Sequence, residues 1–107
     1  MVSQGFEKVA NVGDLKPGEM KLVRMATERV LLCNFEGTYY AVDSVCTHEN
    51  GRLHRGLFYQ CEVVCPLHGA SFDVRTGEVK TPPALKGLTV YPVKVEGDDI
   101  SIGPAPQ

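Results

Sequence analysis

Four residues in two short pairs stand out by type and spacing: Cys46-Thr47-His48 and, sixteen residues later, Cys65-Pro66-Leu67-His68. A thiolate and an imidazole delivered together, twice, from two separate segments make a donor set for a transition metal. Two chemistries use two cysteines and two histidines. A [2Fe–2S] cluster can take two thiolates on one iron and two imidazoles on the other. A structural zinc takes all four on one ion. Zinc sites more often space each pair two to four residues apart and follow one pair with a helix. The first pair here has a single intervening residue, and no helical period follows the second. One intervening residue is also too tight for both members to grip one metal without strain. It suits loops that each give a cysteine to one iron and a histidine to the other. On this reading Cys46 and Cys65 bind one iron, and His48 and His68 bind its partner. Gly51 and Gly69 let each loop turn sharply after its ligands, and Pro66 stiffens the second.

The rest of the chain reads as short strands that position these loops. Phe6 to Ala10 alternates weakly, Val12 to Glu19 is rich in turn residues, and Met20 to Met25 alternates roughly. Arg29 to Phe35 is a continuous apolar run that predicts a buried strand. Glu36-Gly37 is a tight turn, and Thr38 to Val42 returns as the second strand of a hairpin. Ser44 to Gly56 forms the first irregular loop. Leu57 to Val64 reads as one strand leading to the second loop, Cys65 to Gly69. Ser71 to Val74 is short, Arg75-Thr76-Gly77 turns, and Glu78 to Thr81 stays extended until Pro82-Pro83 stops the ladder. Leu88 to Val95 is extended, Glu96-Gly97-Asp98 turns, and Asp99 to Ile102 closes the clearest hairpin. Many short strands, frequent Gly and Pro and no helical period predict an all-β antiparallel sandwich or barrel. The reading takes 1–107 as one domain, with residues 44–74 as a small cluster-holding subdomain of two loops.

Composition narrows the function. The 107 residues carry 43% hydrophobic residues and a net charge of −2, which suits a folded domain and gives no basic excess for nucleic acid. No run approaches the roughly 18 apolar residues of a membrane helix. The N-terminus lacks a basic segment followed by an apolar run, so the expected location is cytoplasmic. In that compartment the four cysteines are expected to be reduced rather than paired as two disulfides. Cys33, inside Val30-Leu31-Leu32-Cys33, and Cys61 read as packing residues. His54, between Arg52 and Arg55, is expected to be exposed. The run Arg52-Leu53-His54-Arg55 reads as a solvated face, with a basic rim for an acidic partner as the sharper alternative. No acid–base pair or nucleophile is evident, so the chain is not expected to be an enzyme.

Cys46-Thr47-His48 with Cys65-Pro66-Leu67-His68-Gly69 resembles the two signature boxes of Rieske proteins. The resemblance runs from about Val30 to Ile102. It takes in Phe72-Asp73-Val74-Arg75-Thr76-Gly77 after the second box. It also takes in Thr81-Pro82-Pro83-Ala84-Leu85, similar to the loop that covers the cluster, with Pro83 and Pro82 shielding it from water. The chain looks most like the Rieske ferredoxins of bacterial aromatic-ring-hydroxylating dioxygenases. That resemblance implies one [2Fe–2S] cluster and a monomer that carries single electrons from a flavin reductase to a terminal oxygenase. The alternatives are a Rieske-like small subunit of a reductase such as nitrite reductase, and a zinc-stapled interaction module. Respiratory Rieske proteins carry a disulfide between the loops at positions that match Gly51 and Leu67. They also carry hydroxyl donors to sulfur at positions that match Ala70 and Phe72. Neither residue here can donate from its side chain, so the expected potential is near the bottom of the Rieske range, about −150 mV.

Overall fold

A computed structural model of the chain describes residues 5–25, 28–45, 51–67, 69–81 and 86–104. Among the described residues there are eleven strands: β1 (Glu7–Asn11), β2 (Met20–Arg24), β3 (Arg29–Phe35), β4 (Thr38–Asp43), β5 (Leu57–Tyr59), β6 (Glu62–Val64), β7 (Ser71–Asp73), β8 (Val79–Thr81), β9 (Val90–Tyr91), β10 (Val93–Glu96) and β11 (Asp99–Ile102). They form three antiparallel sheets, ordered β1-β11-β10, β2-β3-β4-β9 and β5-β6-β7-β8. Among the described residues the only helical turns are 3-10 turns at Val12–Asp14 and Leu53–Arg55. The all-β antiparallel expectation holds.

The β2-β3-β4-β9 sheet is central because β3 is apolar on both faces. Val30 and Leu32 point into one core, with Val23, Ala41, Tyr91, Ile100 and Ile102. Leu31 and Cys33 point into the other, with Val42, Leu53, Val63, Phe72 and Val74. Alternating side chains thus bind the β1-β11-β10 sheet to one face and the β5–β8 sheet to the other. This two-sided burial explains why β3 shows no polar alternation. Cys33 is fully buried, and burial pushes its thiol up to about 12. It is a neutral packing group, as its sequence context predicts.

The turns follow from local chemistry. Glu36 and Gly37 both have positive φ, 54° and 91°, and connect Phe35 to its cross-strand partner Thr38. That is the geometry whose twist matches a two-residue hairpin. Buried Asn34 braces the turn. Its Oδ1 accepts from Gly37 N at 2.8 Å, and its Nδ2 donates to Leu15 O at 2.9 Å.

Two extended readings need correction. Leu57 to Val64 is a hairpin, not one strand: Tyr59 pairs with Glu62 across Gln60-Cys61, and Gln60 has φ 56°. No Gly or Pro marks that turn, so the sequence pattern does not announce it. Leu88 to Val95 is also broken. β9 pairs with β4 in the central sheet, whereas β10 pairs with β11 in the outer one. Pro92 lies between them and has no N–H for a ladder, which lets the chain change sheets there.

Candidate metal centre

The two loops leave the C-terminal ends of β4 and β6, in two different sheets. The first begins after β4. Val45 forms an antiparallel bridge with Arg52, and Leu53 N donates to Ser44 O at 3.0 Å. Leu53 is fully buried and anchors the far end of the loop in the core. The second loop joins β6 to β7. Cys65 N donates to Ala70 O at 2.7 Å, and Gly69 N donates to Cys65 O at 3.1 Å. Gly69 has φ 78°. Its missing Cβ permits the left-handed backbone that closes so short a loop.

Of the four sequence-predicted ligands, Cys65 lies within the described residues. Cys46, His48 and His68 lie outside them, as do Pro82 and Pro83. Among the described residues no three of His, Cys, Asp and Glu converge. Cys33, Cys61 and Cys65 are free thiols. Cys65 is 3% exposed and packs in the same core cluster as Leu53, Ala70 and Phe72. The other loop reaches it through Gly51. A Cβ built on Gly51 would lie 2.6 Å from Cys65 Sγ and 3.3 Å from Leu67 Cγ and Cδ1. The sequence reading took Gly51 for a turn former, but its Cβ side is filled by this sulfur. Gly51 and Leu67, the positions matched to the respiratory disulfide, do face each other across the loops. A buried thiol at the meeting point of the two loops fits a thiolate ligand to a centre that both loops hold.

The segment after the second loop is braced by a residue that sequence reasoning left unassigned. Asp73, on β7, is 3% exposed. Its Oδ1 accepts from Arg75 N at 2.8 Å and from Arg75 Nε at 3.1 Å, and its Oδ2 accepts from Arg75 Nη2 at 2.9 Å. The Cys61 thiol makes a weak contact to the same Oδ2 at 3.8 Å. Cys61 is therefore half-buried in the β5–β6 turn rather than packed on a strand. The Arg75 guanidinium also stands 5.8 Å over the Phe35 ring, which ties the β5–β8 sheet to the central hairpin.

The side-chain hydrogen bond from Arg75 holds the Asp73 carboxyl below the ordinary carboxylate range, against the opposing effect of burial. A depressed folded pKa contributes stability that is full above the unfolded value of about 3.9. That contribution is lost as pH falls from there through the folded value. Because Arg75 is 47% exposed, solvent screening keeps the expected loss below that of a fully buried pair. Urea midpoints of wild type should fall more steeply below pH 4 than those of Asp73→Asn. Parallel curves would remove Asp73 from the acid response.

His54 departs from its expected exposure. It is half-buried on the 3-10 turn, and its Nδ1 is buried with no hydrogen-bond partner among the described residues. With Leu22, Arg29, Ser44, Val45 and Arg52 it lines a cavity of about 340 Å3 beside the first loop.

Comparison with known proteins bears on this centre. The model of the Rieske [2Fe-2S] domain family matches residues 5–92. The ferredoxin component of biphenyl 2,3-dioxygenase from Rhodococcus jostii (strain RHA1) is 40% identical over 95 residues, covering 89% of each chain. Among solved structures, the ferredoxin of carbazole 1,9a-dioxygenase from Nocardioides aromaticivorans IC177 has a TM-score of 0.90 at 31% identity, covering 94% of this chain and 99% of that one. A chain of the complex of reduced oxygenase and oxidized ferredoxin in carbazole 1,9a-dioxygenase has a TM-score of 0.88 at 27% identity, covering 94% of each.

Proposed function

The chain belongs to the Rieske [2Fe–2S] family, and from that premise we propose that it passes single electrons from a flavin reductase to the terminal oxygenase of an aromatic-ring dioxygenase system. It is an electron carrier, not an enzyme, and holds one Rieske-type [2Fe–2S] cluster. The observation that carries the reading is the 40% identity to a dioxygenase ferredoxin component, spread over 89% of each chain. The solved complex of an oxygenase with a ferredoxin supports an oxygenase as one partner. The reductase is inferred from the need for an electron source. A monomer in the cytoplasm, folded as one domain with the cluster lobe at about 44–74, completes the proposal. No helix among the described residues is long and apolar enough to cross a membrane.

In this reading Cys46 and Cys65 hold one iron, and His48 and His68 hold the other. With two neutral imidazoles in place of two thiolates, the cluster supplies one-electron chemistry at a potential above that of an all-cysteine cluster. The chain's own residues set where in that range the potential falls. Ala70 and Phe72 are buried and offer no side-chain donor to a sulfur that gains charge on reduction. Ala70 is tied to the ligand loop through its carbonyl, which accepts from Cys65 N. Ala70→Ser is therefore expected to raise the potential by tens of millivolts, because each ~1.4 kcal/mol of preference for the reduced form is worth roughly 59 mV for one electron. A redox titration of the two proteins reads this directly. An unchanged potential in a folded, iron-loaded variant would sink the donor account.

The experiment that tests the function is an absorption spectrum of the purified chain before and after dithionite, with iron and zinc counted on the same sample. A red-brown protein that bleaches and holds about two irons is expected. A colourless protein with about one zinc would overturn the carrier and leave a zinc-stapled module. Purification as a stable part of a large reductase complex would instead favour a nitrite-reductase-type small subunit.

A further inference from the structure

The cavity beside the first loop has the chemistry of an anion receptor. Arg29, Arg52, Ser44 and His54 line it, with Leu22 and Val45 as apolar sides and no carboxylate among the described lining residues. The Ser44 hydroxyl already donates to Arg29 O at 3.2 Å, which leaves the guanidinium groups as the anion donors. Arg29 sits at the β3 end directly across from Arg24 on β2. Like charges directly opposite on a sheet are unfavourable, and both residues are exposed. Val45, 41% exposed, is followed at once by Cys46, and Leu67 on the second loop is 52% exposed. The basic cavity therefore borders an apolar surface at the candidate centre.

The opposite end of the molecule has the opposite charge. Gly13, Gly37 and Gly97 line a single cavity, so three turns meet there. Those turns carry Asp14, Glu36, Glu96, Asp98 and Asp99, partly offset by Lys16, which lines the cavity, and by Lys8 and Lys94 through ion pairs to Asp99 and Glu96. Strand β4 runs from this end to Ser44 at the basic end. Charge is thus unevenly divided between the two ends of β4, although Glu28 and Asp43 sit next to Arg29 and Ser44 in the chain. An approaching acidic surface meets repulsion at one end and attraction at the end that holds the centre.

Resting on the carrier reading above, we propose that the Arg29–Arg52–Ser44–His54 cavity receives a carboxylate side chain of an acidic redox partner and orients that partner against the cluster end. Guanidinium groups pair with carboxylates in two-point geometry, which fixes orientation as well as contact.

The test uses the cluster-loaded chain with hexaglutamate as the acidic probe, titrated calorimetrically. Binding should weaken by tenfold or more between about 20 and 200 mM salt. Arg29→Gln with Arg52→Gln should weaken it roughly tenfold at low salt, each single change by less. Lys8→Gln with Lys94→Gln at the far end should leave it unchanged. No binding by wild type at low salt, or equal binding by the double arginine variant, would overturn the proposal. Displacement of the peptide by millimolar inorganic phosphate would reassign the cavity to small free anions and overturn it equally. Circular dichroism, iron content and redox titration are measured on the same samples. A chain with no reducible cluster would sink the carrier reading whatever the peptide does. A normal cluster without peptide binding would sink only the docking cavity.

Discussion

Gly51→Ala is expected to give a folded chain that holds little or no iron. The added Cβ would stand 2.6 Å from Cys65 Sγ, whereas comfortable non-bonded contacts lie at about 3.5–4.0 Å. The overlap is about 1 Å. Something must move by that amount, and the neighbours differ in freedom. Leu67, 52% exposed, can swing away. Cys65 is buried and its N–H is tied to Ala70 O at 2.7 Å. A metal site tolerates ligand distances only within about 0.2 Å, so a sulfur displaced by about 1 Å no longer meets its iron. The backbone at Gly51 does not have the positive φ that would strain alanine, so the effect is steric and local. Gly13→Ala is the control, since a Cβ there meets nothing within 4 Å. Iron per chain and visible absorption decide the matter. A Gly51→Ala protein with the wild-type iron content would show that the two loops do not meet at this sulfur.

Phe72→Ala should cost about 3–5 kcal/mol of stability, the range for emptying a large buried aromatic site. Phe72 is fully exposed to the core and not at all to solvent, packed with Leu53, Val63, Cys65 and Val74. It lies on β7, whose other face holds polar groups that are already engaged. Ser71 Oγ pairs with Glu62 Oε1 at 3.1 Å, and Asp73 pairs with Arg75. Phe72 therefore supplies the apolar contact through which β7 joins the β5–β8 sheet to the central one. A chain of this size has about 5–15 kcal/mol in total, so the variant stands near its folding threshold. Urea unfolding should show a lower midpoint with an unchanged slope. A loss below about 1 kcal/mol would mean that neighbouring side chains collapse into the space.

The candidate donors can be read from the sequence because ligand chemistry is carried by residue type and short spacing; of the four, the structure describes Cys65 alone. Cys46-x-His48 and Cys65-x-x-His68 name their own donors whatever the fold. The β3–β4 and β10–β11 hairpins were legible for a similar reason: Glu36-Gly37 and Gly97-Asp98 write the turn into two adjacent residues. Where the turn chemistry was silent, at Gln60-Cys61, the hairpin was missed. Local sequence does not rank a left-handed glutamine above an extended one.

Residue types and short-range pattern thus determined by themselves the all-β class, the buried β3 run, the metal-type donor set and the family resemblance. Tertiary structure alone decided that β3 is shared by two cores, that Pro92 passes the chain between sheets, and that Gly51 faces Cys65. It also decided that Asp73 clasps Arg75, and that Arg29 and Arg52, twenty-three positions apart in sequence, line one cavity. Each of these depends on contacts between residues distant along the chain. Such contacts are set by sheet register and by the packing of one sheet on another, neither of which is encoded in any short window.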